Sequence, residues 1–206
     1  LVVASDASTP SYKIASAGAN GVTVGVLKFT ATNDAINLER VGLKLTNSAS
    51  SSPSNLVSVT LFDGATAVGT AQFVGSNTVA TSTLSSTVIV PKNSDKILTI
   101  KVNLADITNT GSGTGDGTEG AMIAVDNNAS TDVGGTRGTG VGSGSTINAS
   151  GSTSFDGVRV FKSYPTFAQD TLSATGVSYG KLLRFKVTAD SKGSVSINKF
   201  TLTVAT

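Results

Sequence analysis

The residues of this chain that could hold a ligand gather between positions 115 and 132. Asp116 and Glu119, followed by Asp126, Asn127, Asn128 and Asp132, offer the hard oxygens that Ca²⁺ collects, roughly six to eight at a time. Neither stretch has the spacing of a calcium loop. Asp and Asn are also ordinary turn residues, because their side chains bond nearby backbone, so ligand and turn readings both stand. No other cofactor is suggested. The same stretch contains Gly115-Asp-Gly117-Thr-Glu-Gly120, which fits the glycine fingerprint of dinucleotide sites. That chemistry needs a strand before the glycines and a helix after them. Here a Gly/Thr loop precedes and a strand follows, so a loop is expected. Catalysis finds no foothold. With no His and no Cys, a nucleophile would need a Ser–Lys pair or paired carboxylates, and Glu occurs only at 39 and 119. A Lys–Asn isopeptide cross-link would draw on Lys101, Asn103 and Glu39, but a solvated strand face explains the same alternation. The chain is not expected to be an enzyme.

Strands must position these groups. Val22, Val24 and Val26 alternate, then Leu27, Phe29 and Ala31 take over; this slip predicts a bulge near Val26 or a break at Gly25. Ile36, Leu38, Val41, Leu43 and Leu45 give the next strand, with another slip. After a polar loop at 47–55, Asp63-Gly64 predicts a tight hairpin turn. Pro91-Lys92-Asn93 breaks the following run. Residues 96–104 then alternate, with Leu98, Ile100, Val102 and Leu104 on one side. No ten-residue helix is visible, and the best helical candidate is one turn at Leu104-Ala105-Asp106-Ile107. Short strands rich in Val, Thr and Ile predict an all-β fold, an immunoglobulin-like antiparallel β-sandwich. With neither Trp nor Cys, its core is expected to be filled by Phe29, Phe62, Phe73 and Phe161.

Residues 108–157 are dominated by Gly, Ser, Thr and Asn. One apolar island, Ala121-Met-Ile-Ala-Val125, reads as a core strand. The stretch 131–154 reads as a long excursion, functional or mobile. Asn128-Ala-Ser130 and Asn148-Ala-Ser150 are glycosylation sequons, informative only in a host that glycosylates its surface proteins. Charged residues make up 14% of the chain and the net charge is +2, against about 25% charged in average soluble domains. A hydroxyl-clothed surface suits a secreted or cell-surface protein. Lys and Arg are scattered singly, which leaves no nucleic-acid footprint. The mean hydropathy is +0.15, and no apolar run approaches the ~18 residues of a spanning helix. Any targeting segment is expected outside this chain, because Leu1-Val2-Val3-Ala4 is too short for a signal peptide.

The chain also repeats itself. Residues 21–45 align with 176–204 on the pairs Gly21-Val22 and Gly176-Val177. Gly25 then falls on Gly180, Leu27 on Leu183 and Phe29 on Phe185, while Val41 falls on Phe200 and Leu43 on Leu202. A period of about 155 residues suits tandem whole domains. The division expected is 1–9 as an N-terminal strand or linker, 10–164 as a sandwich module and 165–206 as a partial second module. Phe29 and Phe185 are expected at equivalent core positions. The partial module is expected to hold three strands, near 175–179, 182–189 and 194–204, with an apolar face and two edges open. Phe185, Val187, Phe200 and Leu202 should then pack on each other or on another chain. Leu1-Val2-Val3-Ala4-Ser5 is the candidate donor of a completing strand, with Leu1 and Val3 as its apolar contacts.

Several of these motifs carry a family resemblance. Asp6-Ala-Ser-Thr-Pro10 with 21–46, Val59-Thr-Leu-Phe-Asp-Gly64 with Ala67-Val-Gly69, and Pro91-Lys92-Asn93 before 98–104 form one group. Val160-Phe161-Lys162-Ser163-Tyr-Pro165 before Phe185-Lys-Val-Thr-Ala-Asp190 completes it. Together they resemble the repeated β-sandwich modules of large surface proteins in ultrasmall candidate-phyla bacteria. The resemblance covers most of the chain outside 111–154. It implies a long secreted protein, S-layer-like or fibrous, with no catalytic residues to carry over. The expected function is a structural subunit of a layer or filament, joined to copies of itself through strand edges and module junctions. The alternative is an adhesin that presents 131–154 to a glycan or host surface.

Overall fold

The computed structural model describes residues 1–46, 52–108, 117–131, 134–171 and 183–203. The chain divides into two compact units, Leu1–Phe161 and Lys162–Thr206. In the first, strands follow the β-branched runs: β1 (Val2–Ser5), β2 (Lys13–Ser16), β3 (Val22–Ala31), β4 (Ile36–Thr46), β5 (Leu56–Asp63) and β6 (Thr66–Ala71). They continue as β7 (Val79–Val90), β8 (Ser94–Leu104), β9 (Met122–Asn127), β10 (Arg137–Gly140), β11 (Thr146–Asn148) and β12 (Val158–Phe161). The second unit contains β13 (Pro165–Gln169) and β14 (Phe185–Ala189).

In the first unit β1, β3, β8, β5 and β6 hydrogen-bond in that order, and the path continues through β7, β4, β9, β12 and β2. β6 and β7 meet at Gly69↔Leu84 and Thr70↔Thr83. There the sheet turns back on itself, and β3 comes to lie against β7 and β9 across the core. The result is an all-β sandwich. β8 shows why it holds. Leu98, Ile100 and Val102 are fully buried and Leu104 almost so, whereas Ile97 on the other face is 43% exposed. Each such burial stabilises the fold by about 1.5–3 kcal/mol.

Both sequence slips are β-bulges. The β3–β8 register shifts between Thr23 and Gly25, and the β4–β7 register between Leu38 and Arg40. The first has a packing cause. A Cβ on Gly25 would stand 2.5 Å from ring carbons of Phe155, so only glycine lets that ring lie on the strand. The Asp63-Gly64 turn is present, with Gly64 at φ 58°, and the island at 121–125 supplies core strand β9.

Other expectations need correction. One strand pairing is parallel, β2 with β12 (Lys13↔Val158 to Ser16↔Phe161), which the long connection between them permits, whereas a tight hairpin would force antiparallel pairing. No helical turn forms at 104–107. Instead the backbone there bonds across the fold, with Leu104 N donating to Ala19 O and Ala105 N to Asn55 O. Among the described residues the helical turn is a 3-10 turn, Pro53–Asn55, whose cap is the Ser52 hydroxyl. Of the four Phe residues assigned to the core, Phe29 alone is fully buried. Phe155 takes that role instead, while Phe161 follows Val158 and Val160 on the outward phase of β12.

The 131–154 stretch is not a free excursion. β10 pairs with β4 along the edge of β4 that also carries β9, and β11 folds back on β10. β1 likewise belongs to the first unit. It pairs with β3, Val3 is 1% exposed in the core, and Val3 N donates to Ser150 O at 2.8 Å. Leu1 packs against the same core. The donor role for 1–5 is therefore overturned, because these residues already complete their own module.

Candidate functional site

In the second unit β13 and β14 form an antiparallel pair, Gln169↔Phe185 and Phe167↔Val187. One hydrogen bond fixes how this pair corresponds to β1 and β3. Asp6 N donates to Val26 O at 2.9 Å, and Asp170 N donates to Arg184 O at 2.8 Å. With Val26 on Arg184, Leu27-Lys-Phe-Thr-Ala31 matches Phe185-Lys-Val-Thr-Ala189, and Lys, Thr and Ala coincide. Phe29 therefore corresponds to Val187, and Phe185 to Leu27, which corrects the expected pairing of Phe29 with Phe185. A slip of two residues keeps every side chain on its face, so apolar alternation could not detect it.

The burial of these counterparts differs. Val3, Leu27, Phe29, Val41 and Leu43 are at most 1% exposed in the first unit. In the second unit Phe167 is 58% exposed, Phe200 56% and Leu202 58%. Phe185 and Val187 are half-buried. Phe185 and Phe200 make an edge-on ring contact at 5.3 Å, so two of the four expected packing residues meet. Residues 194–203 form no strand, and the expected strand at 175–179 lies outside the described residues. Phe167, Leu183, Phe185, Phe200 and Leu202 line an open apolar groove of about 420 Å³. Next along the two strands, Arg184 and Asp170 form an ion pair at 3.0 Å. Apolar surface gathered in one place marks an interaction site more than scattered exposure does.

The polar candidates resolve differently. Asp126 is buried, and hydrogen-bond donors surround its carboxylate. Thr153 Oγ1 (2.8 Å) and Phe155 N (3.0 Å) donate to Oδ1, and Thr46 Oγ1 (2.5 Å) to Oδ2. These bonds tie the segment after β11 to β9 and β4. Glu119 is exposed, Asp116 and Asp132 lie outside the described residues, and among those described no three acidic groups gather to hold a metal. The Ca²⁺ reading of Asp126 gives way to a structural one. Lys101, Asn103 and Glu39 do not converge. Lys101 Nζ stands 4.4 Å from the centre of the Phe62 ring, and Asn103 bonds Ser58 and Gly21. Glu39 accepts from Arg137 Nε at 2.8 Å and from the Thr139 hydroxyl.

Three carboxyls among the described residues sit below their usual range, and the first is Asp6, held down by the hydroxyl and backbone N–H of Ser8. The Thr139 hydroxyl and the Arg137 guanidinium hold Glu39 down, and the backbone N–H groups of Gly142 and Ser143 do the same for Asp34. Glu39 and Asp34 fasten the β10–β11 hairpin to the beginning of β4, and the hairpin tip at 141–146 is exposed. Of the sequons, Asn148 is exposed on β11, whereas the Asn128 side-chain nitrogen donates to Gly134 O at 3.1 Å.

No signal in the apolar alternation pointed to Phe155 or to the Asp126 cluster. The Lys-x-Thr-Ala repeat on β3 and β14 was visible and would have given the correct register. Among the described residues no helix is long and apolar enough to cross a membrane. No family model matches the chain, and comparison with curated proteins and with solved structures returned no match.

Proposed function

We propose that the chain is a structural subunit of an extracellular assembly, a surface layer or filament built from tandem β-sandwich modules. One observation carries this reading. The second unit repeats the β1–β3 register of the first, yet leaves exposed (Phe167) or only half-buried (Phe185, Val187) the residues whose counterparts Val3, Leu27 and Phe29 are buried in the first unit's core. A module that buries its own core is inert, whereas one with an open edge and face recruits further chain. The sparsely charged, hydroxyl-rich composition supports the cell exterior as its place.

The test is sedimentation velocity with negative-stain electron microscopy over a concentration series. Ordered arrays or fibres are expected, lost when Phe200→Asp and Leu202→Asp are combined. A chain that stays monomeric throughout sinks the reading. The adhesin alternative gains no support from 131–154, since its segments 137–140 and 146–148 are built into the sheet.

A further inference from the structure

The first unit shows what covers the edge that, among the described residues, β14 leaves open. There β3 pairs with β1 on one side and with β8 on the other, with Leu27↔Leu98, Phe29↔Lys96 and Thr30↔Asp95 in register. On the outer face, Lys28 and Thr30 hold one carboxylate between them. Lys28 Nζ lies 3.8 Å from Asp95 Oδ2, and Thr30 Oγ1 donates to Asp95 Oδ1 at 2.5 Å. The second unit rebuilds this receptor. Lys186 and Thr188 stand where Lys28 and Thr30 stand, and Phe185 stands where Leu27 meets Leu98. Yet among the described residues β14 pairs with β13 alone, and no acidic group lies within ion-pair distance of Lys186.

The backbone agrees. Arg184 O accepts from Asp170, the residue after β13, so Arg184, Lys186 and Thr188 turn their peptide groups towards β13. By alternation, Phe185 and Val187 turn theirs to the open edge.

We propose that this edge accepts an extended strand of the β8 kind, added antiparallel to β14. An acidic residue of that strand faces Lys186 and Thr188, and an apolar residue three positions on faces Phe185 and roofs the groove. The ladder hydrogen bonds supply affinity, and the apolar and acidic positions set register, as in other strand additions. The inference rests on the tandem-module reading and names the partner that reading leaves open.

The test uses the whole chain and a fluorescent peptide of residues 94–104. Saturable anisotropy is expected, together with slowed amide exchange at Phe185 and Val187 but not at Lys186 or Thr188. Val187→Pro removes one N–H from the open edge and none from the β13 ladder, and should weaken binding about tenfold. Lys186→Glu should weaken it several-fold, roughly the worth of an exposed ion pair, and a peptide with Asp95→Lys should restore it. That swap works only in the proposed register and cannot be mimicked by misfolding. Absence of saturable binding, equal binding of a scrambled peptide, or failure of the swap to rescue each overturns the proposal. A chain that binds the peptide but never assembles sinks the proposed function alone. A chain that assembles but ignores the peptide sinks this inference alone.

Discussion

The two units carry the same strand pair in two environments. In the first, β3 is flanked by β1 and β8 and roofed by β7 and β9, so Leu27 and Phe29 are fully buried. In the second, the matching strand has one neighbour among the described residues, and its Phe185 lines an open groove. Sequence pattern decides which side chains turn inward. Whether there is an inside depends on the strands that arrive from far along the chain.

The largest effect should come from the core position itself. Phe29→Ala is expected to cost about 3–5 kcal/mol, as for other buried Phe residues. Val187→Ala, at the corresponding place, should stay within ~0.5 kcal/mol. Urea unfolding of both variants measures the contrast, and equal losses would break the comparison.

A middle effect concerns Gly25. A methyl group there meets the Phe155 ring, so Gly25→Ala should cost about 1–3 kcal/mol through overpacking. Combined with Phe155→Ala, the glycine change should become nearly free, a coupling that a double-mutant cycle reads directly. By the hydrogen-bond register Leu183 holds the corresponding place in the second unit, 48% exposed, and Leu183→Ala should be nearly silent. Additive costs at Gly25 and Phe155 would show that the bulge, not the ring, demands glycine.

The smallest effect is on pH dependence. Glu39 and Asp34 have folded values below their ordinary ones, so they bind protons less readily folded than unfolded. Their contribution is complete above the ordinary carboxylate range, about pH 4, and is lost as pH falls through the lowered folded values. Glu39→Gln and Asp34→Asn should therefore flatten the acid limb of the first unit's stability curve and leave the neutral region little changed. An acid limb as steep in the double variant as in the parent would place the proton uptake elsewhere.

The strands around Leu98, Val125 and the Asp63-Gly64 turn were legible because alternation and turn chemistry are local. The β10–β11 hairpin was not. Its glycines look like loop, yet a Cβ on Gly138 would stand 2.5 Å from Asn37 O. Glycine there lets one strand run against another, which composition reads as flexibility. Asp126 was visible as an acidic residue near Asn127, but the donors that enclose it come from Thr46, Thr153 and Phe155, and no spacing rule joins those positions. The true register of the repeat was recoverable from Lys28 and Thr30, and was hidden because a two-residue shift preserves the pattern.

The parallel pairing of β2 with β12 has a mechanical consequence. Tension entering at Lys13 and leaving at Phe161 pulls these strands in opposite directions along their own axes. The paired residues from Lys13↔Val158 to Ser16↔Phe161, and the bond from Ala17 N to Phe161 O, then bear load in shear together rather than parting one after another like a zip. Stretching the unit between Lys13 and Phe161 would therefore meet its resistance at this seam.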